Sequence, residues 1–157
     1  MRVLRTVSAI ALVVAFTVGC SESTSSDDDI TIGDLVGTWV AQSMVYTAVG
    51  NPAQQYDLVA DGGGSMTMVI GADGTFTGTT ILPDVMTREY TGTFTVVNTT
   101  LMQDFDEEGI PTLTWTITAF ADNSMTIGGA QGPWDFSDDQ VFNPVTTSSI
   151  NAVMTRQ

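Results

Sequence analysis

One cysteine, eighteen carboxylates, four arginines and neither histidine nor lysine set the chemistry open to this chain of 157 residues. Without histidine there is no Ser-His-Asp relay and no imidazole to hold a metal. Without lysine there is no Schiff base, no Ser-x-x-Lys nucleophile and no phosphate-loop cation. Two carboxylates can in principle share glycoside hydrolysis. Nearly all the acids here, however, sit among turn-forming residues or in the polar stretch from Ser21 to Asp29, where water keeps them ordinary. The run Asp104-Phe105-Asp106-Glu107-Glu108-Gly109 imitates the start of a calcium loop, with acids at its first, third and fifth places and glycine at the sixth. The twelfth place needs a bidentate glutamate and holds Trp115 instead. The run therefore reads as a solvated hairpin tip, and Asp135, Asp138 and Asp139 read the same way. No catalytic residue, metal ligand or cofactor is expected.

The remaining reactive group is Cys20. Arg2 and Arg5 precede an almost wholly apolar or small run from Val7 to Gly19, and no acid appears before Glu22. That run is shorter than the roughly 20 residues a membrane span needs, so it reads as the core of a signal peptide. The segment Phe16-Thr17-Val18-Gly19-Cys20 resembles the lipobox of bacterial lipoproteins, with Thr17 where that motif usually carries leucine. The resemblance implies cleavage after Gly19 and a lipid on Cys20. It divides the chain into a signal peptide (1–19), a lipidated, acidic Ser/Asp tether (20–29) and one domain (30–157). An ordinary signal peptide cut nearby, leaving a free thiol, and an uncleaved anchor are the competing readings. A lone cysteine forms no disulfide within its own chain. Beyond Gly19 only Arg88 and Arg156 oppose all the acids. Such a surface repels nucleic-acid phosphates and anionic headgroups. No nucleic-acid partner is expected, and attachment to an envelope membrane rests on the lipid. Ser21 after the lipidated cysteine points to the outer membrane, with the domain in the periplasm or at the cell surface.

The elements that position everything else are written in period two. Thr112-Leu113-Thr114-Trp115-Thr116-Ile117-Thr118 alternates without error, and Met66, Met68 and Ile70 repeat the pattern, as do Phe94 with Val96, Met125 with Ile127, and Ile150, Ala152 and Met154. Alternation rich in threonine, valine and aromatics predicts half-buried antiparallel strands. No sustained helical period appears after residue 30. Gly71-Ala72-Asp73-Gly74 and Ala121-Asp122-Asn123-Ser124 supply tight turns. Strands are predicted over 36–47, 54–60, 64–71, 75–82, 88–98, 112–119, 124–129 and 148–156. Residues 130–147 read as an ordered loop with one short strand at 138–142. The prediction is an all-β domain of about eight short strands in up-and-down order.

Asp34-Leu35-Val36-Gly37-Thr38-Trp39 resembles the Gly-x-Trp first strand of lipocalin-like domains. Ile70-Gly71-Ala72-Asp73-Gly74-Thr75-Phe76 is similar to that family's Asp-Gly hairpin, and Tyr90-Thr91-Gly92-Thr93-Phe94-Thr95-Val96 to its next strand. The resemblance spans most of residues 34–156 and implies a closed, lipocalin-like barrel. It also implies that Trp39 plugs the narrow end with Arg156 laid across it. A barrel of about eight strands either fills with side chains or holds one small ligand. The inward, ligand-facing set is predicted as Trp39, Met66, Met68, Phe76, Phe94, Leu113, Trp115, Met125 and Met154. Its methionines suit an adaptable apolar cavity. Trp134, Phe136 and Phe142 are placed at the mouth, and 61–64 is read as a mobile entrance loop or a loose turn. The function expected is binding of a small hydrophobic molecule without catalysis. The alternative is a structural or protein-interaction module with a filled barrel or β-sandwich core, contacting an unknown envelope protein.

Overall fold

The computed structural model describes residues 29–136 and 146–157. The expected signal peptide, Cys20, most of the expected tether, Asp138, Asp139, Phe142 and the strand expected at 138–142 lie outside the described residues. Within them, a four-residue helix, α1 (Ile32–Leu35), leads into β1 (Gly37–Ala48), β2 (Gln55–Asp57), β3 (Ser65–Ile70), β4 (Thr75–Leu82), β5 (Met86–Val97), β6 (Thr100–Phe105), β7 (Leu113–Ala121), β8 (Ser124–Trp134) and β9 (Thr146–Arg156). Each strand from β3 onward pairs antiparallel with the next. The seam is closed by β1 against β9, from Trp39 opposite Arg156 to Ala48 opposite Ser148. The result is a closed eight-strand antiparallel barrel in up-and-down order. The ninth strand, β2, extends the wall: β3 pairs with residues 37–40 of β1 and β2 with residues 45–47.

Period two explains most of this wall. Met66, Met68 and Ile70 point inward from β3, Phe76 and Leu82 from β4, Trp115 and Ile117 from β7, and Ile150, Ala152 and Met154 from β9, all buried. The threonines between them face water, so each strand buries one side only. Burial of this continuous apolar lining supplies the main drive to fold.

Three bulges break the alternation, between Ala41 and Ser43, between Ile117 and Ala119, and between Gly128 and Ala130. One extra residue turns every later side chain to the other face. Beyond the first bulge the inward set in β1 passes from Trp39 and Ala41 to Met44 and Tyr46. Beyond the third it passes in β8 from Met125 and Ile127 to Ala130 and Trp134. Residues 130–134, expected as loop, therefore continue β8. Gly129 sits at φ 85°, a backbone state glycine adopts without strain. The strand β6 was not expected at all. It turns Leu101 and Gln103 inward and leaves Met102 partly exposed, so its hydrophobic pattern is blurred.

The two ends differ. At one, the turn after β3 meets α1, with Gly74 beside Ile32, and the turns after β5 and β7 lie at the same end. At the other stand the connections after β1, β4 and β6, the last of which lines the mouth. Segment 61–64 belongs to this second end. It is bonded back by Gly62 N–H to Asp57 carbonyl (3.2 Å) and Gly64 N–H to Leu58 carbonyl (2.9 Å), so it is not a loose turn.

Candidate functional site

The narrow end is sealed. Trp39 is fully buried and donates its indole N–H to the Leu35 carbonyl at 2.8 Å, which draws α1 across the barrel floor. The Arg156 guanidinium lies 4.6 Å from the centre of the Trp39 ring and donates to the Asp34 carbonyl. Gly37, at φ 141°, makes room for it: a Cβ there would meet the arginine Cδ at 3.4 Å. Phe120 closes the remaining side, 6.3 Å from Trp39. Asp34 holds the helix start by accepting from the backbone and hydroxyl of Thr31 at 2.9 and 2.6 Å.

The open half holds a cavity of about 310 Å³. Its apolar walls come from Met44, Met66, Met86, Leu82, Leu113 and Ile150. Tyr46 and Trp134 stack at 3.9 Å on one side, both brought inward by the bulges in β1 and β8. Across from them Tyr90 bonds Thr80 through their hydroxyls at 2.9 Å. The Tyr90 ring lies against Gly78, where a Cβ would come within 2.2 Å of it, so only glycine admits this ring position. Gly109, Ile110 and Pro111 line the cavity from the β6–β7 connection.

Few polar groups reach inside. Gln103 is 3% exposed and accepts the Trp115 indole N–H on Oε1 at 3.0 Å. The Tyr46 hydroxyl, also buried, has among the described residues only the Met44 thioether as a partner, at 3.7 Å. Burial first, and the neighbouring Tyr90 second, push the Tyr46 phenol far above its ordinary value, so it remains a protonated donor. Burial also raises Tyr90, against the opposing pull of the Thr80 hydrogen bond and the Arg88 charge. Arg88 stands at the rim, its side chain 43% exposed, paired with Glu107 at 3.0 Å.

Three of the four acids at the β6–β7 tip are bonded, one within the hairpin and two to β5. Asp104 accepts from the Thr112 hydroxyl, and Asp106 accepts from that of Thr91 at 2.6 Å. Among the described residues no three His, Cys, Asp or Glu side chains gather around a point that could hold a metal ion. No helix among them is long and apolar enough to cross a membrane.

Of the predicted inward set, Met66, Leu113 and Trp115 line the cavity. Trp39, Met68, Phe76, Phe94, Met125 and Met154 are buried in the packed remainder of the barrel core and do not line it. Trp134 is a wall of the cavity rather than a cap, and Phe136 packs partly buried against the core. Sequence reasoning missed Tyr46, Tyr90, Gln103 and Arg88. Tyr46 follows a bulge, Gln103 is a polar residue on an inward position, and Arg88 was noted only for its charge. Tyr90 lies in a strand motif that gives no sign of its direction, and Gly78, directly opposite it on β4, was its available signal.

No protein-family model and no curated protein matches the chain. Among solved structures, a lipocalin-like protein from Bacteroides uniformis is 15% identical, with 76% of this chain and 98% of that chain covered and a TM-score of 0.44. A deswapped triple mutant of bovine odorant binding protein is 11% identical, covering 79% of this chain and 74% of that one, also at 0.44. The barrel assignment stands on the strand pairing itself.

Proposed function

We propose that this chain is a lipid-tethered envelope protein whose barrel binds a small apolar molecule in its open half without transforming it. The observation that carries the reading is the cavity of about 310 Å³ between a sealed floor and an open rim. It reaches the lower part of the ~300–1,000 Å³ range usual for ligand pockets. Methionine and aromatic walls with few polar groups suit a hydrophobic guest. The tether is supported by the sequence alone: the charged start, the apolar run and the lipobox-like segment ending in Cys20, with Ser21 favouring the outer membrane.

Titrating the purified protein with a fluorescent apolar probe tests the binding. Saturable one-to-one binding is expected, displaced by unlabelled apolar molecules and weakened in Trp115→Ala. A folded protein that takes up no probe refutes the carrier reading and leaves a module that acts through a protein partner. For the tether, the mass of the mature N-terminus decides: a lipid-bearing Cys20, lost in Cys20→Ser, is expected.

A further inference from the structure

The side chain of Gln103 is arranged to present a donor, not an acceptor, to the cavity. Trp115 has only an N–H to offer, so the amide atom facing it at 3.0 Å must be the oxygen. The NH2 group is thereby turned away from Trp115, and among the described residues it has no hydrogen-bond partner. It belongs to a residue 3% exposed that lines the cavity. A second buried donor, the Tyr46 hydroxyl, has among the described residues only a thioether at 3.7 Å, a weak acceptor. Two donors thus face an apolar space with no strong acceptor among the described residues. A guest that accepts from them is favoured over one that sets alkyl groups against them.

We infer that the cavity selects an uncharged apolar molecule carrying a carbonyl-type oxygen, received by the Gln103 amide and the Tyr46 hydroxyl. The inference deepens the binding reading and rests on it. A carboxylate head is disfavoured because the one cation lining the cavity, Arg88, is at the rim and already paired with Glu107. The chain as a whole carries a net charge of −14, which repels anions further.

Calorimetric titration of the protein with nonane, methyl heptyl ketone and nonanoate separates the possibilities, since the three share a nine-carbon chain. The ketone is expected to bind about three- to tenfold tighter than nonane, the worth of one or two net hydrogen bonds. That preference, read as the ratio of ketone to nonane affinity within each variant, should vanish in Gln103→Met and shrink in Tyr46→Phe. Gln103→Met leaves the Trp115 N–H without a partner, so a Gln103→Met, Trp115→Phe double variant, which removes both ends of that bond, guards against misfolding. Equal affinity for ketone and alkane, nonanoate as the tightest ligand, or a ketone preference that survives in the variants overturns the inference while leaving apolar binding intact. No saturable binding of any of the three by the folded protein refutes the binding reading, and this inference with it.

Discussion

Arg156 spends its side chain on two tasks at once. Its plane covers Trp39 at 4.6 Å, and its Nη2 donates to the Asp34 carbonyl at the helix end. A stacked cation contributes ~0.5–2 kcal/mol and a charge-assisted hydrogen bond roughly 1.5–3. Arg156→Ala should therefore lower stability by about 2 kcal/mol, seen as a lower urea midpoint with an unchanged slope. Arg156→Lys keeps the charge but not the flat fork, and should recover only part of the loss. The Trp39–Arg156 pair was implied in advance by a resemblance carried on Gly37 and Trp39. Nothing in the letters around Gln103 announced its position inside the barrel. A glutamine earns an inward place only through the indole that faces it, and that indole is on the neighbouring strand.

Among the elements, strands with strict alternation were legible and bulged ones were legible only up to the bulge. β3 and β4 show their inner faces directly, through Met66, Met68 and Phe76, and β7 does so up to its bulge, through Leu113 and Trp115. In β1 and β8 the phase changes, so Tyr46 and Trp134, which build one wall of the cavity, fall out of the pattern that begins with Trp39 and Met125. The short β2 turn illustrates a different device. The Asp57 carboxylate accepts from the Ser43 hydroxyl at 2.6 Å and from the backbones of Met44, Val59 and Ala60 at 3.2, 2.9 and 3.2 Å, fastening the connection to β1. Burial alone would raise its pKa; the hydrogen bonds from Ser43, Ala60, Met44 and Val59 outweigh that and hold it below its ordinary 3.8. A depressed carboxylate contributes stability above its unfolded pKa and loses it as pH falls through the folded value. Asp57→Asn should thus cost roughly 1–2 kcal/mol at neutral pH. The gap in melting temperature between parent and variant should close as the pH is taken below about 3.8.

At the scale of the whole molecule, the barrel is divided into a packed floor and an open half, and its charge is dominated by acids. The division was not legible. Composition showed enough methionine and aromatic volume for either a filled or a hollow interior, and which residues meet depends on bulges and on a glycine beneath a tyrosine ring. The charge was legible at once, at −14 over the full chain. Like charges crowded on a compact body repel, and salt screens them over ~10 Å at 0.1 M. The melting temperature should rise between 10 mM and 0.5 M sodium chloride, and equal rises in sodium and potassium salts would mark screening rather than a bound ion. A flat or falling response would show that self-repulsion does not limit this fold.

The seam between the first and last strands also sets an order of events. Trp39 pairs with Arg156, so the contact that completes the wall joins nearly the two ends of the domain. Loop-closure entropy opposes such a contact until the intervening hairpins have formed, which makes topologies of this kind slow to fold. β1 has about half its backbone partners in β9 and cannot find them before that strand is made. Hairpins that form earlier make an unclosed sheet with two bare edges, exposed to pairing with neighbouring chains.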